Sequence, residues 1–172
     1  MNRFDQSIIE PGDSLLYYGE SGPNHFGKQH AGIVDWMIAV KTSYWIAHIE
    51  IYTGSGMSVA SRNGIGVNRY PLRLGGLMAV RRPRQGIDLF SAEKWFVGSA
   101  RGQGYDFKGL LCFYLAVKRG SPTKMFCSEF ALRWYRHAGF QPFNPDVDAD
   151  RTGPCEFWKT GMMSTVWQKH QP

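Results

Sequence analysis

The stretch WIAHIEIYT (residues 45–53), closed by Gly54-Ser55-Gly56, governs the reading of this chain. β-Branched and aromatic residues dominate it, and the glycine-rich end is a turn signal, so it reads as a strand. Residues 57–61 then pair back on it as a hairpin. Side chains alternate between the two faces of a strand. Ala47, Ile49, Ile51 and Thr53 form a plain core face, while Ile46, His48, Glu50 and Tyr52 share the other. A histidine and a glutamate are thereby set close together on one rigid element.

Working outward, Arg62-Asn63-Gly64 marks a second turn, 65–70 a third strand, and 77–82 a fourth that Pro83 stops. Upstream, Pro11-Gly12-Asp13 turns into a short strand at 14–18. Residues 20–27 read as loop, and 30–41 as a helix on the spacing of Ile33, Trp36, Met37 and Val40. Beyond Pro83 the pattern becomes helical: 88–100, then 107–118 with Asp106 as N-cap, then 128–138 ending at Gly139. The tail holds a short apolar piece around Phe157-Trp158. Strands first and helices later predict an α+β fold, an antiparallel sheet backed by helices. No repeat, low-complexity tract or linker divides the chain, so one domain is expected over 1–172.

Composition sets the outer limits. The 172 residues carry 20 Lys+Arg against 14 Asp+Glu, a net charge of +6, with 43% hydrophobic and 15% aromatic residues. This is a chain that folds without a metal or disulfide staple, outside the disordered regime. The longest apolar stretches, 31–40 and 109–117, fall short of the ~20 residues of a membrane span. No apolar run follows Arg3, so no secretion signal is expected and synthesis in the cytoplasm is. Cys112, Cys127 and Cys155 include no CxxC pair, against a disulfide framework or a four-cysteine zinc site. The positive charge favours acidic partners, but no nucleic-acid-binding motif accompanies it.

Two places can carry chemistry. Cys127, in Met125-Phe126-Cys127-Ser128-Glu129-Phe130, stands where the last long helix begins. There the helix dipole favours thiolate, and backbone N–H groups of the first turn can receive an oxyanion. The plainer alternative is a buried apolar cysteine, just as His48 can be an ordinary hydrogen-bonded strand histidine. Other candidates read as structural. Cys112 lies on an apolar stripe, and Cys155 is a loop residue that can be a free thiol. His25, His30, His137 and His170 lack metal-ligand spacing, and His137 complements a helix C-terminus. Tyr105-Asp106 is a cap, and Arg81-Arg82-Pro83-Arg84 guards a solvated strand edge. Trp36, Trp45, Trp95, Trp134 and Trp158 belong to the core or a cleft wall. No cofactor or metal is called for.

Taken in order, these pieces resemble the permuted branch of the NlpC-type papain-like cysteine hydrolases, which includes the lecithin:retinol acyltransferase relatives. Ile9-Glu10-Pro11-Gly12-Asp13-Ser14-Leu15-Leu16 resembles that branch's opening strand, and Ala47 through Gly56 its histidine strand. Gly104-Tyr105-Asp106-Phe107 followed by Phe126-Cys127-Ser128-Glu129-Phe130 resembles its cysteine helix, and Asn144-Pro145 also has a counterpart. The resemblance spans most of the chain. It implies a permuted papain-like fold with Cys127 as nucleophile, His48 as general base, and acyl transfer through a thioester. The usual reaction is hydrolysis of amide bonds in peptidoglycan stem peptides.

One departure stands out. Many relatives carry a carboxylate where this chain has Ala60. Glu50 is the nearest substitute as third catalytic residue; Ser61, Asn63, a main-chain carbonyl or no third member are the alternatives. Two other functions share the resemblance: an acyltransferase or thioesterase on lipid or acyl substrates, and a non-catalytic module of a larger, phage-like assembly with a relic site. For the hydrolase, the missing signal points to virion association or another route to the cell wall.

Overall fold

The computed structural model describes residues 4–18, 46–114 and 121–169, the stretch 111–114 as backbone only. The loop and helix expected at 20–27 and 30–41 lie outside the described residues, as do Trp36, Trp45, His25, His30, His170 and the side chain of Cys112.

Six antiparallel strands build the frame: β1 (Ser14–Tyr18), β2 (Ile46–Gly54), β3 (Met57–Arg62), β4 (Gly66–Pro71), β5 (Leu77–Pro83) and β8 (Met163–Gln168), in the order β4-β3-β2-β1-β5-β8. The fold is α+β, as expected. Between β5 and β8 the chain forms helix α1 (Leu89–Trp95), strand β6 (Gly104–Tyr105), helix α2 (Phe107–Tyr114), strand β7 (Lys124–Met125), helix α3 (Cys127–His137) and helix α4 (Pro154–Lys159). β6 and β7 pair in parallel and bring the start of α2 beside the start of α3. Asp106 caps α2 through Gly109 N–H at 2.7 Å, and also accepts from Ser121 N–H. A Cβ on Gly109 would fall 2.4 Å from the Asp106 carboxylate, so this cap requires glycine there.

The sheet buries both faces. On one, Leu16, Ile49, Ile51 and Val59 pack with Phe130, Trp134 and Tyr135 of α3. On the other, Leu15, Tyr17, Leu77 and Val80 cluster with Ile9, flanked by Tyr52 and Trp167. No helix among the described residues is long and apolar enough to cross a membrane.

Several expectations need correction. Ile46 packs in the helix-side cluster, not with His48, because the β1–β2 register shifts between Tyr17 and Tyr18. The helix expected over 88–100 is α-helical only to Trp95 and becomes a π-turn over Phe96–Ala100. Cys155 is fully buried in α4, its thiol donating to Glu156 Oε1 at 3.3 Å, because Pro154 starts a helix. Strand β8 was not foreseen, and its presence makes β5 an interior strand. Arg81 is therefore no edge guard: it is buried and donates to Thr165 Oγ1 and to the carbonyls of Thr160 and Met163. Arg82 clamps Asp13 through two bonds of 2.8 Å. His137 does end α3, but it stacks on Trp95 at 4.6 Å, and burial, helped by Arg133, lowers its pKa. A neutral ring adds little to the helix dipole.

Candidate active site

Glu50 is the centre of charge. It sits on β2 opposite Leu15 of β1, fully buried, and polar groups meet both of its oxygens. Oε1 lies 3.1 Å from His48 Nε2 and accepts from Arg62 Nε at 3.0 Å. Oε2 accepts from the Ser58 hydroxyl at 2.6 Å and from Arg62 Nη2 at 3.1 Å. Arg73 Nη2 stands further out, 3.7 Å from Oε1. The expected same-face relation of His48 and Glu50 thus closes into a direct contact.

Burial pushes the Glu50 carboxyl upward, but the imidazole, the Arg62 guanidinium and the Ser58 hydroxyl outweigh it and bring its pKa down to about 2. Glu50 is therefore an anion at neutral pH and can only accept hydrogen bonds. That fixes the tautomer of His48: Nε2 carries the proton and Nδ1, nearer the main chain, is the basic nitrogen. Burial lowers the His48 pKa most; Glu50 opposes this, and Arg73 and Arg62 reinforce it. The resting imidazole is neutral.

Cys127 is the first residue of α3. Phe126 at the N-cap position offers no side-chain oxygen to the first turn. β7 delivers the cysteine, held by Ser61, whose hydroxyl donates to the Met125 carbonyl. The β2–β3 ladder runs from Ile51↔Val59 toward the turn. The start of α3 meets β2 beyond that ladder, with Cys127 Sγ 3.9 Å from the Ala47 carbonyl oxygen. That carbonyl belongs to the peptide joining Ala47 to His48, so standard backbone dimensions put the sulfur within about 7 Å of the His48 Cα. The thiol is only 2% exposed.

The three expected residues thus converge on one end of β2, with His48 and Glu50 in contact and Cys127 against the neighbouring peptide. Of the alternative third members, Ser61 is committed to the Met125 carbonyl. Three residues of the cluster were not singled out from sequence: Ser58, Arg62 and Arg73. Ser58 and Arg62 share a face of β3 by period-2 spacing, a signal that becomes informative once β3 is aligned with β2. Arg73 follows β4 in a loop and has no local pattern. Glu129, two residues after Cys127, is also buried. Its Oε1 accepts from Arg133 at 2.8 Å while Oε2 has no hydrogen-bond partner among the described residues, and burial raises its pKa to about 7. Among the described residues, no group of three or more His, Cys, Asp or Glu is placed to hold a metal ion.

No family model matches the chain, and no curated protein matches it. It does resemble a solved structure, that of the metalloprotein yiiX from Escherichia coli O157:H7, of the family designated DUF1105. The TM-score is 0.63 at 14% identity, covering 93% of this chain and 97% of the other. At that identity the likeness concerns the fold alone.

Proposed function

We propose that the protein is a cysteine hydrolase of the permuted papain-like kind that cleaves amide bonds, with peptidoglycan stem peptides as the substrate class. The observation that carries this reading is the clamp on His48. A buried anionic carboxylate holds Nε2–H, which leaves Nδ1 as the basic nitrogen, and Cys127 Sγ rests against the carbonyl of the peptide that leads into His48.

The chemistry follows from that arrangement. His48 Nδ1 takes the thiol proton as Sγ attacks the carbonyl carbon, and the imidazolium formed is stabilised by Glu50. The tetrahedral oxyanion falls to the Cys127 N–H at the head of α3, a type of contact whose loss costs on the order of 10²–10³ in rate. The imidazolium then protonates the leaving amine, and a thioester remains on Cys127. Water, deprotonated by His48, hydrolyses that thioester and restores the thiol. Arg62 and Ser58 act at one remove, as positioning residues for Glu50.

Incubation with purified peptidoglycan, read by mass spectrometry, is expected to release peptides with new amine and carboxyl ends, and to yield a Cys127 acyl adduct with an activated peptide ester. Stable acylation by a fatty-acyl ester without any effect on peptidoglycan would instead identify a lipid acyl enzyme. Neither product would indicate a non-catalytic module.

A further inference from the structure

We propose that α1, the π-turn after it and the turn between β3 and β4 form a face that docks on the surface of an anionic lipid bilayer. The inner side of this helical segment is Ala92, Phe96 and Ala100, all buried and spaced by four residues. The opposite ridge carries Phe90, Lys94 and Val97, at i, i+4 and i+7. Phe90 is 79% exposed and Val97 58%, so two large apolar side chains stand in solvent with exposed Lys94 between them.

The chain beyond the π-turn is tied to the sheet. Val67 N–H donates to the Gln103 carbonyl and Gly102 N–H to the Val67 carbonyl, both at 2.8 Å. Gly66, at φ +88°, comes so close that a Cβ there would strike the Gln103 carbonyl. The β3–β4 turn is therefore fixed beside Arg101, and it holds Ile65 in solvent, 65% exposed. Lys124 of β7 lays its side chain along Gly104 and is exposed.

Charge and spacing decide the partner. Among the described residues, Lys94, Arg101 and Lys124 form no ion pair. Glu93, the one acidic residue of 89–105, is taken by Arg69, and Asp88 is occupied in capping α1 through Ser91. The face is net positive, with apolar side chains set singly among the cations. A protein interface concentrates its apolar groups in a centre depleted of charge, which is not this pattern. Pairing with a second copy would bring like charges together. An anionic bilayer offers both complements: headgroups for the cations, and the acyl boundary for Phe90, Val97 and Ile65.

The test sediments the native full-length protein with phosphatidylcholine vesicles, with and without phosphatidylserine, at low and high salt. Binding is expected only to the anionic vesicles, and to weaken as salt screens the cations. Replacing Lys94, Arg101 and Lys124 together by glutamine should lower the partition coefficient about 100-fold, at about fivefold per charge. Phe90→Ser, and separately Ile65→Ser on its turn, should each lower it on the order of 10-fold while leaving the thermal melt unchanged. Equal binding to neutral vesicles, or binding to neither kind, would overturn the proposal. So would capture by soluble polyglutamate that Phe90→Ser leaves unchanged, which marks a polyanion site. Self-association that Phe90→Ser abolishes, without vesicle binding, would assign the face to a second copy instead.

Discussion

Replacing Cys127 with alanine is expected to lower amide hydrolysis by on the order of 10⁶-fold, the loss typical when a nucleophile is removed from a set of residues that act as a unit. His48→Ala is expected to lose a comparable amount. The two variants differ in what happens to the fold. Cys127 packs in the core, and removing one sulfur there costs about 1 kcal/mol, so a near-native melting profile should accompany the lost activity. His48→Ala also strips a partner from the buried Glu50 and is expected to be the less stable protein. A Cys127→Ala enzyme that keeps a tenth of its activity would remove the thiol from the chemistry.

The second large effect concerns Glu50. Deleting its carboxylate by Glu50→Ala leaves two guanidiniums and a hydroxyl facing a cavity, a change expected to cost about 3–5 kcal/mol of stability. The same carboxylate sets an acid limit. Its folded pKa of about 2 lies below the ordinary 4.5, so its stabilisation is complete above pH 4.5 and is lost as pH falls from there toward 2. By linkage this amounts to about 3 kcal/mol. His48, lowered from 6.5 by burial, adds an earlier loss that begins as pH drops below 6.5. Denaturant unfolding across pH 2–8 should therefore show two stages of weakening, and Glu50→Gln should lose the lower one. A Glu50→Gln profile that follows the native protein below pH 4.5 would mean that the buried network does not hold this charge.

How much of this was legible in the sequence varies with how local each signal is. The β2 and β3 hairpin, the 1–2 residue accuracy of its turns and the pairing of His48 with Glu50 all follow from period-2 alternation beside glycine turns. Ile46 escapes that pattern because β2 itself bulges at Ala47, placing one extra residue opposite the Tyr17–Tyr18 step of β1, and nothing within β2 alone reports its register against β1. The edge-like look of Arg81 and Arg82 has a single source. Met163–Gln168 alternates too weakly between polar and apolar residues to announce a strand, and without β8 the preceding arginines look like an edge. The signal that places Cys155 in a helix and not a loop is local, a proline at the first helical position. Arg73 could not be read at all: a loop residue joins a charge cluster only through the tertiary fold.

The pairing of Cys127 with His48 is the central claim, and the rate of Cys127 alkylation between pH 4 and 9, in the native protein and in His48→Ala, addresses it most directly. Cys155, fully buried in α4, serves as the internal control by peptide mass spectrometry. The native protein should alkylate at Cys127 with an inflection below 6.5, tracking a lowered His48, and His48→Ala should move that inflection up toward the ~8.5 of a free thiol. Protection of Cys127 until the protein unfolds, or the same inflection with and without His48, would contradict the account.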